Sequence, residues 1–139
     1  MSAFILDPRL DADTTLLGRM GICRVLLMND ARYPWLILVP ERNGLADLID
    51  LTPEDEAAVW KSVRAVSEAL KSITSPVKLN VGALGNVVRQ LHIHILARYE
   101  SDEAWPGPVW GKGTARPYEE AARDALIAAL RKALPELIR

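Results

Sequence analysis

Residues Gln90-Leu91-His92-Ile93-His94-Ile95-Leu96 alternate polar and apolar side chains. That is the pattern of a strand with one face in a core. A period of two puts Gln90, His92 and His94 on one face and Leu91, Ile93 and Ile95 on the other. The chain has two histidines, and both fall here, aimed the same way.

The rest of the chain builds a frame for that strand. Thr14–Arg19 and Ile22–Met28 have strand-like composition, with Gly21 breaking between them. Asn29–Pro34 reads as a turn, since Asn and Asp tolerate turn geometry and Pro34 pushes Tyr33 out of the helical region. Trp35–Val39 follows as a continuously apolar strand closed by Pro40. Thr52-Pro53-Glu54-Asp55 opens a helix: Thr52 is a good N-cap, Pro53 fits the first position, and the acids face the positive end of the dipole. Val59, Val63, Val66, Leu70 and Ile73 recur at helical spacing, and the helix should stop before Ser75-Pro76. Val77–Leu84 reads as a strand, Gly82–Asn86 as a turn and Val87–Tyr99 as the histidine strand. Glu103–Pro117, rich in Trp, Gly and Pro, should be irregular. A closing helix over about 118–134 carries Ala122, Leu126, Ala129, Leu130 and Ala133 on its apolar side. Strands, long helix, strands and closing helix suggest an α+β domain with helices on an antiparallel sheet.

At 139 residues the chain reads as one domain, 1–139. The net charge of −1, with no basic stripe, argues against a duplex nucleic-acid surface, though one small anion can still bind locally. The single cysteine, Cys23, allows no intrachain disulfide and reads as a buried thiol. The first residues lack the basic segment and apolar run of a signal peptide, and the longest apolar run elsewhere is too short to span a bilayer. No membrane association is expected, and the default expectation is a cytoplasmic protein.

Three readings of the histidines compete. Both can be structural. Both can ligate a metal, although no further histidine exists and Cys23 has no ligand-like neighbour. Or His92 attacks a phosphoryl centre while its neighbour stabilises charge, with amides of the glycine-containing turn at Gly82–Asn86 binding phosphate oxygens.

Gly85–Arg98, GNVVRQLHIHILAR, resembles the signature of the histidine triad (HIT) family of nucleotide hydrolases and transferases, His-φ-His-φ-His-φ-φ with φ apolar. LILVP at Leu36–Pro40 and the Thr-Pro-Glu helix start resemble the family's middle region, and tryptophan after the signature also occurs in members. The resemblance covers roughly residues 15 to 110 and points to a bacterial-type member similar to diadenosine polyphosphate hydrolases. It implies a five-stranded antiparallel sheet with one long central helix and a C-terminal helix, assembled as a homodimer. It implies a nucleotide as small-molecule partner, no cofactor, and a covalent nucleotidyl-histidine intermediate at the α-phosphate of phosphoanhydrides or phosphoramidates. On that pattern His92 matches the nucleophile, and His94 the third triad histidine. Asn86, Val87 and His94 fall on the phosphate side, and Asn29 or Asp30 where the ribose hydroxyls bind.

The sequence departs from the pattern at several positions. Gln90 replaces the first triad histidine. It can donate and accept a hydrogen bond and so, as a catalytic-site residue beside His92 and His94, hold its neighbours as that histidine does, but it cannot carry a proton. Trp35 stands where many members have a further histidine, close in the family to the first triad position, so the two changes read as one coordinated change. Asn43 occupies the region of another histidine, and Val87 stands where Ser or Thr is frequent. The alternative reading is therefore a nucleotide-binding protein with weak or lost catalysis. Glu103–Gly111, dense in aromatic and ring residues, reads as a rigid loop plugged into the core by its tryptophans, or else as a wall over the phosphate site or a dimer contact. Arg89, Lys112 and Arg116 are candidate phosphate counter-charges, and Arg98 shares the histidines' parity at the strand end.

Overall fold

The computed structural model describes residues 3–139; Met1 and Ser2 of the expected domain lie outside the described residues. A short helix, α1 (Pro8–Asp13), comes first. It precedes the first element expected from the sequence, although its signal is present. The Asp7 carboxylate accepts from the Arg9 N–H at 2.8 Å, and Pro8 occupies the first turn, where its missing N–H costs nothing.

β1 (Thr14–Met20) and β2 (Cys23–Met28) form an antiparallel hairpin. Gly21 turns the chain between them at φ +58°, a left-handed conformation that glycine adopts without a Cβ clash. β3 (Trp35–Pro40) pairs antiparallel with β2. A 3₁₀ turn (Leu48–Asp50) leads into α2 (Pro53–Thr74). The Thr52 hydroxyl accepts from the Asp55 N–H at 3.1 Å, and the helix ends at Ser75, whose φ of 47° turns the chain out. β4 (Lys78–Gly82) and β5 (Ile93–Arg98) complete a five-stranded antiparallel sheet ordered β1-β2-β3-β5-β4, and α3 (Glu120–Ala133) follows. The architecture is α+β, with the long helix α2 between the first three strands and the last two.

Two expectations need correction. The histidine strand is shorter than Val87–Tyr99, because the ladder runs out: pairing to β3 ends at Leu38–Ile93 and to β4 at Gly82–His94. Residues 83–92 are irregular, with the Leu91 N–H donating to the Leu45 carbonyl. Alternation alone does not make a strand where no neighbour strand exists. In α3, Leu130 is buried and Leu126 and Ala133 pack against the core as expected, but Ile127 and the following Leu134 are buried too, while Ala122 is exposed. The larger aliphatic residues set the face, because each removes more area from water than an alanine.

The sheet is covered on both sides. Leu17, Val25, Leu36, Leu38, Ile93 and Ile95 pack under Val59, Val63, Val66 and Leu70 of α2 and Ile127 and Leu130 of α3. The opposite face carries Leu26, Trp35, Ile37 and Leu96, roofed by Leu10, Tyr33 and Val109. His94 and Arg98 lie on that second face by strand parity. Arg98 is 2% exposed; its guanidinium donates to both Asp102 oxygens, to Asn80 Oδ1 and to the Gly107 carbonyl. It thereby fastens the segment 99–117 to the sheet. Among the described residues no helix is long and apolar enough to cross a membrane.

Candidate functional site

His94 is the second residue of β5, and His92 immediately precedes the strand. Their rings lie 4.9 Å apart, centroid to centroid. Both are buried, at 6% exposure each, and both line one cavity of about 430 Å³. The two-residue spacing therefore does aim both imidazoles the same way.

Their hydrogen bonds set opposite tautomers. His92 Nδ1 lies 2.6 Å from the backbone carbonyl oxygen of Gln90. A carbonyl only accepts, so Nδ1 carries the proton and neutral His92 has its lone pair at Nε2. His94 Nδ1 accepts from the Trp35 indole N–H at 3.0 Å. Indole nitrogen only donates, so His94 has its lone pair at Nδ1 and its proton at Nε2. With both Nδ1 atoms committed to protein partners, the Nε2 atoms remain for a ligand. Burial, with His92 adding to it, pulls the His94 pKa down to about 3, so this imidazole is neutral at ordinary pH. The pair offers one nucleophilic lone pair and one uncharged N–H donor side by side. That combination suits attack on an electrophile bearing anionic oxygens.

The loop between β4 and β5 lines the same cavity through Leu84, Gly85, Asn86, Val87 and Val88. Gly85 sits at φ +76°, which a side chain would strain. Trp110 forms another wall, its ring 5.2 Å from His94, and Met28 and Val109 add apolar surface. The tryptophans of this segment are half-buried rather than plugged into the core. Val109 is buried in the core while Trp110 faces the histidines.

Asp30 also lines the cavity, but its carboxylate is engaged. Arg32 Nε and NH2 donate to it, and so do the N–H groups of Arg32 and Arg116. Burial alone would push this carboxyl up; those donors outweigh burial and hold it below the usual carboxylate range. The other end of Arg32 donates to Glu103 and to the Lys112 carbonyl, tying the turn after β2 to the wall segment. Arg32 carries little local signal in the sequence beyond its place two residues after Asp30 in a turn. Among the candidate counter-charges Lys112 lines the cavity, while Arg116 engages Asp30 through its main chain.

His92, His94, Asn86, Val87 and Asp30 are therefore brought together around one cavity. Asn29 is not among its walls; its side-chain oxygen accepts from the Tyr118 N–H. The Gln90 side chain is also elsewhere: its oxygen accepts from the Asp7 N–H and its nitrogen donates to the Ile5 carbonyl. Trp35 reaches His94, whereas the Gln90 amide reaches residues 5 and 7. The Cys23 thiol is wholly buried, and burial pushes its pKa up to about 12. Arg98 shares the histidines' face but is spent on Asp102, Asn80 and Gly107. Among the described residues no group of three or more His, Cys, Asp or Glu side chains is placed to hold a metal ion.

The model of the HIT domain matches residues 9–101. Comparison with curated proteins returned no match. Among solved structures, a histidine triad protein from Sinorhizobium meliloti is 46% identical at a TM-score of 0.92, covering 94% of this chain and 97% of its own. One from Bradyrhizobium japonicum is 43% identical at 0.94, covering 96% and 99%. One from Marinobacter aquaeolei is also 43% identical at 0.94, covering 98% and 99%.

Proposed function

The chain belongs to the HIT domain family, and from that premise we propose that it is a hydrolase or nucleotidyl transferase acting on the α-phosphate of a nucleotide through a covalent nucleotidyl-His92 intermediate. One observation carries the reading: the two histidines sit in one cavity in opposite tautomers, fixed by the Gln90 carbonyl and the Trp35 indole. The cavity volume, about 430 Å³, lies in the range that holds a small-molecule ligand.

His92 Nε2 attacks phosphorus. The Nε2–P bond forms as the bond to the leaving oxygen or nitrogen breaks, and that group departs with the electron pair. The Nε2–H of His94 donates to a phosphoryl oxygen as charge builds there. Asn86, Val87 and the amides of their loop hold further phosphate oxygens. In the second step water or another acceptor attacks phosphorus as the Nε2–P bond breaks; the electron pair of that bond returns to His92 Nε2, and the acceptor's proton passes to solvent. Met28, Leu84, Val109 and Trp110 cover the nucleoside, and Asp30 lies on the ribose side. Dinucleoside polyphosphates and adenosine phosphoramidates are the substrate types this reading favours.

Gln90 bears on the alternative. The position that carries an imidazole in the triad pattern contributes a backbone carbonyl to His92, which does not depend on the side chain. That supports retained chemistry. Its carboxamide, however, is bonded to residues 5 and 7 and offers no proton carrier, which favours a nucleotide-binding protein with weak catalysis. One experiment separates them. The protein is incubated with labelled dinucleotides and phosphoramidates, quenched and searched for an adduct on His92. The enzyme reading expects the adduct in wild type and its loss in His92→Ala, with turnover reduced by about 10³-fold or more and nucleotide binding retained. Thermal stabilisation by AMP with no adduct and no turnover would leave the binding reading. Undiminished hydrolysis by His92→Ala would remove His92 as nucleophile.

A further inference from the structure

We propose that Trp35 is a positioning residue for the reaction at His92: its indole N–H locks His94 as the Nε2–H tautomer and so keeps an uncharged donor beside the nucleophile. Its effect on activity rests on the reading of His92 given above, whereas the tautomer itself does not.

The geometry follows from the sheet. His94 pairs across β3 with Ile37, and Trp35 lies two residues away on the same face. That diagonal separation is one that a long aromatic side chain spans. The indole sits 5.6 Å from the imidazole, tilted by 54°, and its N–H reaches His94 Nδ1 at 3.0 Å in a buried setting.

The choice of residue matters. Serine, threonine, tyrosine or histidine at this place can donate or accept, so each would tolerate either tautomer of its partner. Tryptophan can only donate. A proton on His94 Nδ1 would set two N–H groups face to face at this distance, and the indole cannot rotate a lone pair into the gap. The imidazole is thereby barred both from the opposite tautomer and from becoming a cation.

The surroundings reinforce the lock. His94 is enclosed by Trp35 from β3, by Trp110 from the segment 99–117 and by the His92 ring. Among the described residues His92 is the one titratable group in ring contact with it, and its Nδ1 proton is committed to the Gln90 carbonyl. The other charged groups of the cavity are Asp30 and Arg32, which pair with each other, and Lys112 at the wall. If His94 held the opposite tautomer it would present a second lone pair to an anionic phosphate, which repels it. If it became a cation it would draw the His92 lone pair and lower its nucleophilicity. Trp35 excludes both states without touching the substrate's reacting atoms.

The test reads the tautomer directly. Protein labelled with ¹⁵N in its histidines is examined by long-range ¹⁵N–¹H correlation from about pH 8 to about pH 5, the span in which an ordinary imidazole titrates. Wild type is expected to show His94 Nδ1 unprotonated and Nε2 protonated throughout. In Trp35→Phe, which keeps a ring but removes the donor, His94 should show mixed tautomers or titrate within that span. Its kcat should fall by about tenfold with KM changed less than about twofold, as for loss of part of a transition-state donor. Trp35→His, which can donate or accept, should restore a hydrogen bond to His94 but leave its tautomers mixed and kcat short of wild type.

A protonated Nδ1 in wild-type His94, or a Trp35→Phe spectrum identical to wild type, overturns the proposal. If Trp35→Phe does not fold, the wild-type spectrum decides, through the scalar coupling across the Trp35 Nε1–H to His94 Nδ1 bond. Absence of a His92 adduct with the tautomer lock intact would sink the catalytic reading and leave the lock standing. An adduct with no lock would do the reverse.

Discussion

Gln90 shows how one residue divides its roles between main chain and side chain. Its carbonyl fixes the His92 proton, while its carboxamide ties down residues 5 and 7. Gln90→Ala should therefore lower stability by about 1–2 kcal/mol, the size of two partly exposed hydrogen bonds, and leave turnover within about threefold. Denaturant unfolding and steady-state kinetics check this; a hundredfold drop in kcat would give the carboxamide a direct part in the chemistry. The histidine pair was legible in the sequence because two imidazoles share one parity. The partners were not. Gln90 meets Ile5, Arg32 meets Glu103 and Trp35 meets His94 across long stretches of chain, and a period of two reports a face but never what covers it.

At the level of elements, the sequence was most readable where local chemistry decides. Thr52-Pro53-Glu54 marks the start of α2 because cap, proline and dipole all act within one turn. Thr52→Ala should cost about 1 kcal/mol, seen as a lower denaturant midpoint at unchanged slope; an unmoved midpoint would mean that the cap contributes nothing. The first helix carried the same kind of signal in Asp7-Pro8, but it is only six residues long and lacks an apolar stripe. The histidine strand ends earlier than its alternation suggests for the opposite reason. A strand ends where its neighbours end, and the lengths of β3 and β4 are not written in residues 87–92. That early end frees the Gly85–Val88 loop to line the cavity, so the misread stretch is the one that builds part of the site.

Over the whole molecule the two faces of the sheet are held by different physics. Aliphatic packing seals the helix face, whereas the opposite face encloses Arg98 with Asp102, Arg32 with Asp30, and the neutral His94. The response to acid should reflect that division. His94 is held well below its ordinary value, down to about 3, by burial first and by His92 next. An unfolded chain takes up that proton near pH 6.5, so the stability His94 carries is complete above about 6.5 and is lost as pH falls toward about 3. For Asp102, burial pushes the pKa up, but Arg98 and the N–H groups of Tyr99 and Trp105 outweigh it, and the folded value lies below the ordinary one. Its contribution is therefore complete above about pH 3.9 and is lost below that. Stability should then decline in two stages as pH falls, the first set by His94 and the second by Asp102 together with Asp30. His94→Gln should flatten the first stage and leave the second. Asp102→Asn should lower stability at neutral pH by about 3–5 kcal/mol, because Arg98 stays buried without its partner charge, and should shallow the second stage alone. Urea midpoints measured from about pH 8 to about pH 3 distinguish these outcomes; a single stage beginning near pH 4 would show that His94 is not held neutral in the folded protein.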